Sequence, residues 1–209
     1  MAATSSTFEV IDLNALDLTQ GDLTLVVPSM QWLDAMMESA TRPASIAEAQ
    51  PPSRDEMIRF IEANAGGRCR LDGRTGRVLV YHFWMKLAPG SGSPLVIGGG
   101  IDLRVGDHFD LRMYGGHIGY AVYPEARGRR LAERSVRLLL PLARAHQMRE
   151  LWITCNPDNS ASRRTCERLG ARLVEIVPVP FGHELHRRGE THKCRYLLSL
   201  VQGSAHGPR

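Results

Sequence analysis

The chain has 209 residues, 43% of them apolar and 23% charged, with a formal net charge of +4. That balance excludes wholesale disorder and collagen-like repeats and leaves ample chain for a buried core. No apolar run approaches the ~18–20 residues that a membrane-spanning helix needs. The first twenty residues hold Glu9, Asp12 and Asp17 but no Lys or Arg, so a signal peptide would lack its basic start.

The charge is unevenly spread. Residues 1–62 carry ten Asp and Glu against three Arg, whereas residues 63–209 carry 23 Arg and Lys against 12 acids. A basic second part fits a polyanion, either nucleic acid or one polyphosphate ligand. Aromatics make up only 6%, too few for the stacking surfaces that accompany basic residues in RNA binding, so nucleic acid is disfavoured. Cys69, Cys155, Cys166 and Cys194 show no C-x-x-C spacing and read as reduced thiols of a cytoplasmic protein.

In chain order, residues 22–27 read as a short first strand. Ser29 is placed to cap a helix to about Ser39, with Trp32, Ala35 and Met36 on one face. Residues 41–52 are polar and proline-bearing, a loop. Ser53-Arg-Asp-Glu56 is a capping box opening a helix to about Ala63, stopped at Gly66-Gly67. Val78–Leu87 and Leu95–Leu103 are predicted strands around a Gly/Pro/Ser turn at 88–94, and residues 102–116 form a polar connection to a strand at His117–Tyr123. From Leu131 the apolar period becomes helical, with Pro141 inside predicting a kink. Leu151–Cys155 is a strand, Asn159–Leu169 a helix stopped by Gly170, Ala171–Val177 and His192–Val201 strands, and Gly203–Arg209 a frayed tail. This order predicts a single α/β domain with a mixed central sheet flanked by helices.

Two segments carry chemistry. Val122-Tyr-Pro-Glu-Ala-Arg127-Gly-Arg-Arg-Leu-Ala132 joins a strand directly to a helix. Three arginines at Arg127–Arg130 lie where helix amides are unpaired and the dipole is positive, a setting for a diphosphate. The bland alternative is a solvated basic turn. Neither G-x-x-x-x-G-K-[ST] nor G-x-G-x-x-G occurs. About thirty residues later, Leu151–Gly170 reads strand, polar turn, then a helix ending at glycine.

Together these segments resemble the GNAT superfamily of acyl-CoA N-acyltransferases. The likeness covers roughly residues 78–200, and Asp22–Ala63 fits the family's opening strand and helix pair. Of the pyrophosphate motif [QR]-x-x-G-x-[GA], Arg127, Leu131 and Ala132 fit, while Arg130 replaces the middle glycine. Asn159 and Gly170 fit N-x-x-[AS]-x-x-x-[aromatic]-x-x-x-G. The resemblance implies an N-terminal extension over 1–21, a GNAT N-acetyltransferase domain over 22–201 and a flexible tail over 202–209. It implies acetyl-CoA as co-substrate and a primary amine as acceptor, of a small molecule or a protein. A homodimer is left open.

The resemblance also implies residue roles. Tyr120, Ala121 and Val122 would hold the pantetheine arm as an added strand. Amides of Gly128, Arg129, Arg130, Leu131 and Ala132 would hold the pyrophosphate, Arg127 and Arg129 would add charge, and Asn159 completes the cofactor set. Many relatives use a tyrosine at the position of Cys166 as general acid, and some a carboxylate base at the position of Thr154. This chain has neither. Cys166 stays a candidate acid, although a thiol on a helix face more often packs as a small hydrophobe. His117, which titrates near neutral pH, and Asp102 are the candidate bases, each weighed against a structural role. His183, Glu184, His186 and Glu190 form a polar loop beside the acceptor side. The histidines are too scattered for a metal site. Two other classes remain: a degenerate acyl-CoA-binding sensor, motivated by Cys166, Thr154 and Arg130, and a basic RNA-associated protein.

Overall fold

The computed structural model describes residues 11–41, 51–64, 70–71 and 78–201. The glycine stop at Gly66-Gly67, Cys69, the tail over 203–209 and most of the loop predicted at 41–52 lie outside these residues.

The chain runs through β1 (Thr19–Gln20), β2 (Leu23–Val26), α1 (Leu33–Ala40), α2 (Arg54–Asn64), β3 (Arg70–Leu71), β4 (Leu79–Leu87), β5 (Ile97–Val105) and β6 (Ile118–Val122). It continues through α3 (Leu131–Ala145), β7 (Glu150–Cys155), α4 (Ser160–Arg168), β8 (Arg172–Pro178), α5 (Glu184–Arg187) and β9 (His192–Ser199). The strands form two sheets. One has the order β1-β2-β4-β5-β6, with β3 added to β4; the other has the order β7-β9-β8. All ladders are antiparallel. The expected single-domain α/β fold is therefore present, but where one mixed sheet was expected the described strands form two antiparallel sheets, because no ladder joins β6 to β7 across α3.

Strand alternation gives the first sheet two different faces. Tyr81, Phe83, Met85, Ile101, Leu103 and Ile118 pack into the main core with Val136, Leu139 and Leu142 of α3. On the other face Trp84 and Ile97 pack with Leu33 and Met36 of α1 and Met57 and Ile61 of α2. The capping box opens α2 as predicted: the Glu56 amide donates to Ser53 Oγ at 3.3 Å, and the Ser53 amide donates to Glu56 Oε2 at 2.7 Å.

Several local expectations need correction. Ser29 makes no side-chain cap; a 3₁₀ turn at Met30–Trp32 intervenes and α1 begins at Leu33. Asp102 lies within β5, which continues to Val105. The polar connection holds one π-type turn, Leu111–Gly115. The polar loop before the last strand contains α5. α3 continues through Pro141, whose ring lies on the exposed side.

Candidate active site

β6 and β7 are consecutive strands on either side of α3, yet no ladder joins them. They meet at one corner. The His117 amide donates to the Trp152 carbonyl at 2.7 Å, the Trp152 amide donates to His117 Nδ1 at 2.8 Å, and Thr154 Oγ1 donates to the Tyr114 carbonyl at 2.7 Å. Beyond that corner the sheets part. Tyr120, Ala121 and Val122 pair with Ile101, Gly100 and Gly99 on the β5 side only. At Gly99 the strands run so close that a Cβ would lie 2.1 Å from the Ala121 carbonyl oxygen, which only glycine tolerates.

The split opens onto the arginine turn. Pro124 begins a 3₁₀ turn, Pro124–Ala126, and Gly128 takes φ +82°. Arg130 adopts φ 54° and ψ 31°, left-handed backbone that glycine enters freely and arginine does not. The arginine that replaces the motif glycine therefore keeps the backbone path a glycine would follow. Arg130 is the residue before α3, and no side chain caps that helix end. The first-turn amides remain open to an anion. The arginines divide their work. Arg127 is exposed, and its Nε donates to the Val122 carbonyl at 3.1 Å. Arg129, expected to add charge to a pyrophosphate, instead donates to the Ser91 carbonyl at 2.5 Å and lies 3.6 Å from Asp22.

Asn159 caps α4, its Oδ1 accepting from the Ser162 amide at 3.0 Å. Three buried thiols, Cys155, Cys166 and Cys194, lie at this end of the second sheet and none is in a disulfide. Cys155 and Cys194 are direct cross-strand partners. Burial raises the Cys166 thiol to about 12 and the Cys155 thiol to about 11. Cys166 is wholly buried, so its surroundings are those of a packing residue rather than a proton donor open to substrate.

His117 is buried at 4% exposure with both ring nitrogens engaged. The Trp152 amide can only donate, so Nδ1 accepts; Nε2 must then carry the proton, which it donates to the Gly106 carbonyl at 3.0 Å. Desolvation holds this ring below the usual histidine range. The geometry is that of a histidine joining the two sheets rather than of a base facing substrate. Asp102 differs. It is opposite Gly119 in register, on the face away from α3, and its Oδ2 lies 2.8 Å from Arg104 Nη2. A Cβ on Gly119 would fall 2.9 Å from Asp102 Oδ1, so glycine lets this carboxylate lie against β6. Arg104 is anchored by donating to the carbonyls of Gly115 and Gly116.

Sequence reasoning considered Tyr120 only for its backbone. Its side chain reaches from β6 to α4, where its hydroxyl is hydrogen-bonded to Ser162 Oγ at 2.8 Å. Strand alternation could have signalled this, since Ile118 and Tyr120 share the α3 face. A separate cavity of about 290 Å³ is lined by Asp107, Phe109, Arg112, Met113 and Arg195, and none of the cleft residues borders it. Among the described residues no group of three or more His, Cys, Asp or Glu could hold a metal ion. No helix among them is long and apolar enough to cross a membrane.

A sheet split between two strands, with an uncapped helix N-terminus at the mouth of the split, is the framework expected of an acyltransferase. A family model for the GNAT acetyltransferase domain matches residues 22–172, and the chain belongs to that family. Solved structures of the same fold include a GNAT-family acetyltransferase from Bacillus anthracis, 17% identical with a TM-score of 0.60, covering 88% of this chain and 99% of that one. The microcin self-immunity acetyltransferase MccE, in complex with acetyl-CoA and AMP, is 16% identical with a TM-score of 0.58, covering 86% and 93%. The ribosomal-protein alpha-N-acetyltransferase RimL, in complex with coenzyme A, is 14% identical with a TM-score of 0.60, covering 88% and 97%. No curated protein matches the chain at a significant level.

Proposed function

We propose that this acetyltransferase moves the acetyl group of acetyl-CoA directly to a primary amine of a small molecule or protein. One observation carries the reading: among the described strands β6 pairs with β5 alone, and its other edge leads through the 3₁₀ turn Pro124–Ala126 into the left-handed Arg130 and the uncapped start of α3. Two relatives of this fold were solved with acetyl-CoA or coenzyme A, which supports the same co-substrate here.

In this reading the backbone of Tyr120, Ala121 and Val122 pairs with the pantetheine arm. The amides of Gly128, Arg129, Arg130, Leu131 and Ala132 bind the pyrophosphate, with charge from Arg127. Arg129 acts at one remove by holding the 88–94 turn, and Asn159 by setting the start of α4. Acetyl-CoA supplies the activated carbonyl carbon. Asp102, on the opposite face of the sheet, anchors the incoming ammonium and takes its proton directly or through water. His117 supports the site as the junction of the two sheets. Direct transfer needs no nucleophilic side chain, in keeping with the lack of a G-x-S-x-G segment. The domain spans 22–201, and three free buried thiols favour a cytoplasmic setting.

Saturating CoA should raise the melting temperature, and acetyl-CoA with a panel of primary amines should release free thiol. Stabilisation by CoA with no thiol release across small amines, amino acids and peptide N-termini would favour the sensor reading, which the burial of Cys166 motivates. An absence of any stabilisation by CoA would reject both.

A further inference from the structure

The reaction proposed above needs a proton for the departing thiolate, and neither Cys166 nor Thr154 is placed to give one. Cys166 is wholly buried, and the Thr154 hydroxyl is spent on the Tyr114 carbonyl. One hydroxyl does cross the gap where the strands part. Tyr120 is partly exposed on β6, its ring points to the α3 face, and its oxygen stands 2.8 Å from Ser162 Oγ in the first turn of α4. We propose that Tyr120 is the proton donor of this enzyme, its hydroxyl delivering a proton to the coenzyme sulfur while Ser162 steadies the phenolate that results. The inference rests on the acetyltransferase reading.

The step balances. The amine nitrogen, freed of one proton, bonds to the carbonyl carbon. The carbon–sulfur bond breaks with its electron pair on sulfur, and the Tyr120 proton moves to that sulfur. The phenolate recovers a proton from solvent as the amide nitrogen releases its own. Two features suit this role. The residue that supplies backbone to the pantetheine also supplies the hydroxyl, so sulfur and donor share one strand. The phenol also stays protonated in the working pH range, since burial raises it above its ordinary value; this makes it a weak acid, so its proton moves only as negative charge builds on the departing sulfur.

The test compares wild type, Tyr120→Phe and Ser162→Ala with the best amine of the panel and two donors, acetyl-CoA and its selenoester analogue. A selenolate leaves without protonation. Tyr120→Phe should lose ~10²–10⁴-fold in kcat with acetyl-CoA, with little change in the KM for the donor. With the selenoester most of that loss should vanish. Ser162→Ala removes the same hydrogen bond but keeps the phenol, and should lose only several-fold. A second readout needs no turnover. In complexes with free CoA, the ultraviolet absorbance of the bound thiolate should titrate at higher pH in Tyr120→Phe than in wild type. An equal deficit with both donors, or an unshifted thiol titration, would assign Tyr120 a structural role. A Ser162→Ala loss as deep as that of Tyr120→Phe, with the phenol intact, would make Ser162 the donor instead. A wild-type protein that binds CoA but acetylates no amine overturns the acetyltransferase reading itself, a result distinct from these.

Discussion

Arg130 holds a backbone conformation that disfavours every residue except glycine. Left-handed backbone costs a non-glycine residue roughly 1–2 kcal/mol, partly offset by the ~0.5–1 kcal/mol that glycine loses in the unfolded chain. Its side chain is exposed and gives no cap to α3. Arg130→Gly should therefore raise the unfolding free energy by up to about 1 kcal/mol, seen as a higher urea midpoint, and keep CoA affinity within a few-fold, since in this reading backbone amides make the phosphate contact. A lower midpoint would mean that the arginine side chain contributes something the turn needs. Cys166 gives the opposite case. Cys166→Ala removes a wholly buried sulfur from the main core and should cost about 1–2 kcal/mol in chemical denaturation. Turnover should stay within several-fold, because the thiol is wholly buried among packing neighbours.

At the scale of elements, the start of α3 is tied to the first sheet by charge. Asp22, just before β2, accepts from Arg134 at 2.6 Å and lies 3.6 Å from Arg129, and the Arg134 contact pulls its carboxyl below the ordinary value. The two arginines nearest the turn should therefore separate in experiment. Arg129→Ala should act mainly on stability by freeing the 88–94 turn. Arg127→Ala should act mainly on CoA, several-fold weaker at low salt, with the gap narrowing as ionic strength rises. Calorimetry on folded protein decides this, and equal CoA affinity in Arg127→Ala would take that side chain out of the phosphate site. Sequence reasoning reached the turn because a basic strand-to-helix joint is a local property, readable from Pro124, three arginines and the apolar period that follows. It did not reach Arg129's direction, because that depends on Ser91 and Asp22, distant in the chain and brought near only by the fold. Asp102 was read at the end of its strand, whose last two residues were missed for the same reason. Its strand is prolonged to Val105 by pairing with Leu79 and Val80 of β4, a non-local effect that outweighs the polar composition after Leu103.

The whole molecule depends on two sheets that stay joined at one corner and apart elsewhere. His117 makes that junction with its amide, its Nδ1 and its Nε2–H, and Trp152 on β7 takes part in two of the three bonds, accepting one through its carbonyl and donating the other through its amide. The arrangement requires a neutral ring, since a proton on Nδ1 would face the Trp152 amide hydrogen. Burial depresses the folded-state value below the ordinary 6.5. As pH falls through 6.5 the unfolded chain takes up a proton that the folded protein refuses, so stability declines as pH falls. The decline ends only once pH passes the depressed folded value, where the native ring protonates as well. Half-buried His146, bonded to the Tyr81 hydroxyl, is lowered by burial too and adds to the same slope. Urea midpoints measured between pH 7 and pH 5 should drop steadily, and His146→Gln should remove only part of the drop. His117→Gln should remove the larger part while lowering stability at pH 7 by about 1–3 kcal/mol, because one buried backbone partner loses its bond. The same variant should weaken CoA binding through altered spacing of β6 and β7, with pH having less effect on that affinity than in wild type. A pH slope unchanged in His117→Gln would show that the corner holds without its histidine ring, and the split would then be fixed by the residue-117 amide on the Trp152 carbonyl and by Thr154 on the Tyr114 carbonyl.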